Sequence, residues 1–492
     1  MFTNQAPSYM TDFAVIRNGI VGRDHRLHTH RHPEGVPLIY ADWTASGRAY
    51  APIEDTIRKR ILPLMANTHT DTNSTGSAMT HAYETARTVI RRHVNAAGDD
   101  VLVCTGSGMT GAINKLQRLI GVKRDFAGNP DRRPVVFVTH MEHHSNHTSW
   151  LETGAEVVVV DCNAEGLVCP DRFAEAVSAY AGARPKFAAI TACSNVTGIE
   201  TPYHKIAAVM HAAGGYCFVD FACSAPYVDI NMHPSGRPEA ALDAVVFSPH
   251  KFLGGPGSCG VLVVNRRHLT SSVPDQPGGG TVAWTNPWGI HRFLPDPEHR
   301  EDGGTPAILQ TIRAALAIRL KERMGTAAMR RREARLLSVL WEGLDQMPEV
   351  EVLDGRHRER LGIISFNTRG LHHNLAVKLL NDYYGVQVRG GCSCAGTYGH
   401  RLLGIDRAAS DAVVDRIDRG LPFRRPGWVR LSIHPTTTLP EIRYLLRAIE
   451  GVVRHHKQWA AAYVVCPDTA AVRAASSEHD RELLESVAAL FA

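Results

Sequence analysis

Val101-Leu102-Val103-Cys104-Thr105-Gly106-Ser107-Gly108-Met109-Thr110-Gly111 passes in eleven residues from an apolar run, through a glycine-spaced hydroxyl loop, into an amphipathic stretch predicted helical over Gly111–Ile120. Strand, tight loop and helix in immediate succession are the opening half of a βαβ unit. Such a loop turns free backbone N–H groups and a helix N-terminus toward an anion, with hydroxyls as extra donors, so a phosphate suits it. It lacks the Gly-Lys-Ser/Thr of a P-loop and the full dinucleotide fingerprint, and the same residues also suit a plain glycine-rich connection.

The pattern continues outward. Apolar runs recur at Val135–Val138, Val157–Val160, Ala188–Ile190, Phe218–Val219, Val245–Phe247 and Val261–Val264, with helices predicted over His204–Ala213 and Pro306–Met324. Near-continuous apolar strands spaced by helices indicate an α/β domain whose mostly parallel sheet is covered on both faces. For the longest helix, Thr305 is placed as N-cap and Pro306 at the first helical position.

Past Thr326 the texture changes. A charged helix (Met329–Leu344), a strand (Gly362–Asn367), a helix (Leu375–Tyr384), strands at Val386–Arg389 and Trp428–Ile433, and a helix (Leu439–His455) read as a smaller α+β domain. The expected organisation is an N-terminal arm (1–36), a large domain (37–325), a small domain (326–465) and a C-terminal tail (466–492). The arm, with His25, His28, His30 and His32, reads as solvated and flexible.

Composition sets limits. At 492 residues, 44% hydrophobic and 21% charged, the chain is an ordinary globular sequence, and a net charge of +5 spread along it gives no nucleic-acid footprint. Ten scattered cysteines suggest reduced thiols and a cytoplasmic protein. No apolar run is long enough to span a membrane, and Met1–Gln5 lacks the basic start of an export signal.

Two further signals stand at strand ends, where open α/β sheets bind ligands. Asp220 closes the strand Tyr216–Val219, and an acid there can keep a proton on a heterocyclic nitrogen; taken singly, it also suits a cap or turn. Lys251, in Ser248-Pro249-His250-Lys251, lies between a buried strand and Gly254-Gly255-Pro256-Gly257. Held there, its pKa can fall far enough for an imine-forming amine, although an isolated lysine is by default a surface charge. Phosphate loop, acid and amine together are what pyridoxal 5′-phosphate requires.

With these residues in place the chain resembles the class V aminotransferases of fold type I, and among them the cysteine desulfurase and selenocysteine lyase branch. The resemblance runs from about Ile39 to His455. It is carried by Tyr40-Ala41-Asp42-Trp43-Thr44-Ala45-Ser46-Gly47, Ala66-Asn67-Thr68-His69, Gly106–Asn114, Met141-Glu142-His143-His144-Ser145-Asn146, Ser194-Asn195-Val196-Thr197-Gly198, Val219-Asp220, Ser248–Lys251, Gly303-Gly304-Thr305-Pro306, Val388–Ala395 and Arg430-Leu431-Ser432.

The resemblance implies that Lys251 forms the Schiff base and carries protons, Asp220 pairs with the pyridine nitrogen, and His143 stacks on the ring and assists proton transfer as a catalytic residue. A metal cluster of His143, His144 and His147 is set aside because no acid or thiolate is spaced with them; no metal is expected. Gly108, Met109, Thr110, Ser248 and His250 are implied to hold the phosphate, joined by Thr305 from a neighbouring subunit, hence a homodimer with shared sites. Asn195 is implied to contact the phenolic oxygen or the substrate carboxylate, Arg430 to bind that carboxylate, and Arg389 to serve the same region unless it makes an ordinary surface ion pair.

Two departures matter. Cys223 stands where the family places glutamine, and it donates poorly to the phenolic oxygen. Cys394 aligns with the family's nucleophile, but Cys392 and Ser393 replace the histidine pair before it, and both cysteines also read as packing or redox bystanders.

The expected activity is cleavage of the C–S bond of L-cysteine or a cysteine derivative, with a sulfur-acceptor protein as a possible partner. The alternatives are β-elimination from a bulky S-substituted cysteine to thiol, pyruvate and ammonia, or transamination or epimerisation. A non-enzymatic sulfur-partner role is disfavoured by Lys251 and Asp220. Trp284, Trp288 and Phe293, and the segment Gly404–Gly427, are candidates for enclosing a large substrate or for a dimer contact.

Overall fold

The computed structural model describes residues 12–492 apart from 69, 71, 127–131, 181, 183, 467–469 and 476–477. Met1–Gln5 and His69 lie outside the described residues. Seven strands form the main sheet: β1 (Asp100–Thr105), β2 (Val135–Thr139), β3 (Glu156–Val160), β4 (Lys186–Thr191), β5 (Tyr216–Asp220), β6 (Ala244–Phe247) and β7 (Gly260–Asn265). Their spatial order is β1-β7-β6-β5-β4-β2-β3. β7 alone runs against the direction of the other six, pairing Val261 with Cys104 on one side and with Phe247 on the other.

Alternation along these strands feeds two cores. Leu102, Phe137, Ile190, Val219, Val245 and Val263 pack on one face, and Val101, Val103, Val136, Ala189, Phe218 and Val246 on the other. All are essentially removed from water, so both faces are covered, as the apolar runs predicted.

The helix expected from Pro306 starts at Ile308, with Ala307 before it and no side-chain cap. Gly304 at φ +85° turns the chain, and Thr305 is exposed, so Thr305 is not the N-cap. After Gly325 the helix Thr326–Leu344 leads into a second sheet, ordered Val350–Val352, Ile363–Thr368, Trp428–Ser432, Arg389–Gly391, entirely antiparallel. The single strand predicted over Val386–Arg389 is two: Val386–Gln387 pairs with Ile39–Tyr40, and Arg389–Gly391 joins the small sheet.

That division places a short crossing. Ala41 belongs to the core of the small sheet and Trp43 to the core of the large one, so Asp42 between them sits at the junction. The histidine-rich segment is not a free arm where it is described. Arg26–Leu27 pairs with Val36–Pro37, and Thr29 and His32 bond to the backbone oxygens of Asp382 and Tyr383 at 2.8 and 3.1 Å.

Candidate active site

The carboxyl ends of β1, β2, β4, β5 and β6 converge on one cavity of about 510 Å³. Its wall includes Gly108, Met109, Thr110, His143, Asn195, Asp220, Cys223, Ser248, His250, Lys251, Arg389, Cys394 and Arg430. Thr305 is the one predicted site residue outside that lining. Trp284 and Trp288 are exposed on a hairpin (Val282–Thr285 with His291–Phe293) that contributes nothing to the wall. A larger hollow of about 810 Å³, lined in part by Leu371, Leu375 and Val472, takes Val413, Arg416 and Phe423 from the segment Gly404–Gly427, which contributes nothing to the wall of the first cavity, and holds none of the residues expected to bind cofactor or substrate carboxylate.

Ser107 and Gly108 both adopt left-handed backbone, at φ +57° and +58°, which swings the chain from β1 into the helix Gly108–Leu119. A Cβ on Gly108 would lie 2.9 Å from the Ser248 hydroxyl, so glycine keeps the loop open. The Met109 N–H donates to Ser248 Oγ at 2.8 Å, and the Thr110 hydroxyl pairs with that of Ser145 at 2.7 Å. The Met109 amide is therefore committed to Ser248, and Ser145 stands beside the loop through Thr110, a residue that the sequence motif contains without a role. Burial and the neighbouring Lys251 charge push His250 down to about 4.

Lys251 ends a short turn after β6. Its amine makes no hydrogen bond or ion pair to any described residue, and burial lowers its pKa below the ordinary lysine value. Asp220 is buried at the end of β5, with Oδ1 accepting from the Ala222 N–H at 2.7 Å. Burial lifts its carboxyl to about 6, against the opposing pull of that N–H and the Lys251 charge. His143 caps the helix His144–Leu151, Nδ1 accepting from the Ser145 N–H at 3.1 Å. Burial and Lys251 bring it down to about 4, so the ring is neutral at pH 7.

Beneath His143 lies Glu142, completely buried. It accepts from the Thr139 hydroxyl (2.7 Å), Asn146 Nδ2 (2.7 Å) and the Thr191 N–H (2.9 Å), tying the ends of β2 and β4 together. Burial raises its pKa to about 8. Only the tertiary fold reveals this role, because the sequence pattern marked the segment but not which side chain would turn inward.

The far wall comes from the small sheet. Arg430 is buried; Nη1 donates to the Asn195 backbone oxygen at 3.2 Å and Nη2 to Asp42 Oδ1 at 3.0 Å. Arg389 donates through Nε to Asp42 Oδ2, also at 3.0 Å. Both predicted carboxylate-binding arginines thus share one internal carboxylate. Asn195 Nδ2 donates to the Ser393 backbone oxygen at 2.7 Å, and Cys223 directs its thiol to the Cys193 backbone oxygen at 3.2 Å.

Cys394 is exposed at the cavity mouth. Ser393 and Cys394 are both left-handed, at φ +52° and +55°, and the Ala395 N–H closes the turn on the Cys392 oxygen. The loop is fastened to the start of the helix His144–Leu151, since His144 donates its backbone N–H to the Cys394 oxygen (2.7 Å) and its Nε2 accepts from the Gly396 N–H (2.9 Å). The imidazoles of His143, His144 and His147 serve backbone and hydroxyl partners, and among the described residues no group of three or more acidic, histidine or cysteine side chains is arranged to hold a metal.

A family model described as aminotransferase class-V matches residues 39–445. A probable cysteine desulfurase of Xylella fastidiosa is 31% identical over 409 residues, 82% of this chain and 90% of that protein. One of Halalkalibacterium halodurans is 29% identical over 367 residues, 73% and 85% of the two chains. Among solved structures, an apo cysteine desulfurase of Thermococcus onnurineus is similar with a TM-score of 0.73 at 24% identity, covering 92% of this chain and all of that one. An Escherichia coli cysteine desulfurase gives 0.69 at 21%, covering 91% and 99%. At these identities the structural likeness speaks for the fold.

Proposed function

From the premise that the chain belongs to the class V aminotransferase family, we propose that it cleaves the C–S bond of L-cysteine or a cysteine derivative with pyridoxal 5′-phosphate as cofactor. The observation that carries the reading is the cavity's pairing of an uncommitted lysine amine, Lys251, with a buried carboxyl, Asp220, beside a glycine-gated phosphate cradle.

The residues present fit the cofactor. Gly108, Thr110, Ser248 and His250 would hold its phosphate, the helix N-terminus adding partial positive charge without any arginine or lysine. Met109 acts through Ser248. His143 would face the ring, Asp220 would pair with the pyridine nitrogen, Lys251 would supply the amine, and Cys223 lies where a partner for the phenolic oxygen is expected. When bound, pyridoxal phosphate supplies an electron sink for charge developing at the substrate Cα.

This chain's own groups do the rest. Lys251, with its lowered pKa, takes the Cα proton and returns one to the product. Asp220 holds a proton on the ring nitrogen: once a cation faces it, its carboxylate form is favoured at pH 7. Arg430, with Arg389 behind Asp42, orients the substrate carboxylate, and Asn195 fixes Arg430 from the other side. Cys394 forms an S–S bond to the substrate sulfur as the Cβ–S bond breaks, and carbon keeps the electron pair and gains a proton to give alanine. A homodimer in which Thr305 of one subunit reaches the phosphate of the other accords with that residue's exposure outside its own cavity, and an acceptor protein would collect sulfur from the exposed Cys394.

Product analysis tests the reaction. Incubated with L-cysteine, the holoenzyme should release alanine, and the Cys394→Ala variant should lose sulfide formation. Pyruvate and ammonia from an S-substituted cysteine, with Cys394→Ala fully active, would overturn desulfuration in favour of β-elimination.

A further inference from the structure

The larger hollow, about 810 Å³, is lined by half-buried Leu371, Val413 and Phe423 and by exposed Arg416, Arg424 and Lys457, and among the described residues no acid lines it. One side is the helix Arg407–Asp418, which buries none of its residues and leaves Val414 and Ile417 half exposed. Another is the hairpin Tyr463–Val465 with Val472–Ala474. Three residues beyond that hairpin the chain enters the helix Glu478–Ala488, continued by the turn Ala489–Phe491. At about 100° per residue, Leu483, Leu484, Val487, Leu490 and Phe491 fall on one stripe of it. All five are exposed, Phe491 at 87%. The helix also carries four acids against one arginine.

We propose that this helix is an interaction element that packs its apolar stripe into the hollow of a second copy of the chain. The two surfaces match in chemistry, apolar stripe to apolar lining and a net negative helix to a cationic rim, as in other helix-in-groove contacts. A helix of this length is marginal in water without a surface to pack on, and seating the stripe removes large apolar side chains from solvent. No described residue of the helix lines the hollow of its own chain, although the hairpin at its root does. The arrangement therefore satisfies both surfaces at once only between copies. Reciprocal exchange, with the helix of each copy in the hollow of the other, forms a closed two-fold contact that limits itself to a pair. This contact is separate from the cavity at the strand ends and independent of the reaction proposed there.

Cys466 lies in the lining of the hollow, so the contact can be read by cross-linking. One tagged chain carries Val487→Cys with Cys466→Ser, and a second chain with a different tag is unaltered. The two are co-expressed, purified as holoenzyme and treated with a short bismaleimide. The expected product is a covalent pair of the two chains in which Cys466 of the unaltered chain is joined to position 487 of the other, a link that can form only between copies. Arg416→Glu in the unaltered chain should lower its yield about fivefold; should that variant not fold, Lys457→Glu on the same rim takes its place. No link from either Val487→Cys or Leu484→Cys, or a link through other thiols alone, would overturn the proposal. So would Val487→Cys with Cys466 intact if the two sites join within one chain instead of between chains, and so would a yield indifferent to the rim charge, which selects the acidic helix as the occupant.

Discussion

Asp220→Asn separates what the fold tolerates from what the chemistry requires. Burial lifts the Asp220 carboxyl from 3.8 to about 6, a gap worth about 3 kcal/mol. Between those pH values the folded chain without cofactor binds more protons than the unfolded chain, so its stability falls as pH rises through the window. Above about pH 6 the whole penalty applies. Asparagine does not titrate, and its Oδ1 can still accept from the Ala222 N–H. In urea unfolding of cofactor-free protein, the variant should therefore gain about 3 kcal/mol on the wild type between about pH 4 and pH 7. Its affinity for pyridoxal phosphate should fall over the same range, since the charge opposing the ring nitrogen is gone. A stability difference that stays flat with pH, or that favours the wild type as pH rises, would refute the view that Asp220 is a strained carboxylate awaiting a cation.

Other consequences are as specific. A Cβ at Gly260 would meet the Gly108 backbone oxygen at 2.1 Å, so Gly260→Ala should cost about 3 kcal/mol and loosen cofactor binding, read by thermal unfolding and equilibrium dialysis. Arg430→Gln removes a buried guanidinium from the wall proposed to bind the substrate carboxylate and should lower kcat/KM about 100-fold, mostly through KM; an unchanged KM would place the carboxylate elsewhere. His143 is held near 4 by burial, and a depressed histidine stays neutral above that value. Wild type and His143→Gln should therefore share the acid limb of the activity profile above about pH 5, and a limb present only in the wild type would contradict the neutral ring.

How far the sequence reached follows from the physics of each signal. Six of the seven apolar runs were legible because strands buried on both faces have no alternation to misread, Val157–Val160 being the partly exposed edge strand, and Lys251, Asp220 and the glycine loop were legible because each directly follows a buried run. The start of the helix at Ile308 was not, since Pro306 fits a first helical position equally well until Gly304 and Thr305 are seen to form a turn. The break at Val388 needed both partners, Ile39–Tyr40 and Trp428–Ser432, which lie hundreds of residues apart. Glu142, Ser145 and Asp42 stood inside quoted motifs, yet their roles come from long-range bonds to Thr191, Thr110 and the two arginines, which no local pattern encodes.

The central claim is that the Lys251 amine engages the aldehyde of pyridoxal phosphate in this cavity. Borohydride reduction of the cofactor-loaded protein followed by peptide mapping tests it directly. A pyridoxyl group should be fixed on the peptide containing Lys251 and be absent from the Lys251→Ala variant. The same group on another lysine, such as the buried Lys321, or no fixed group on cofactor-saturated protein, would contradict it.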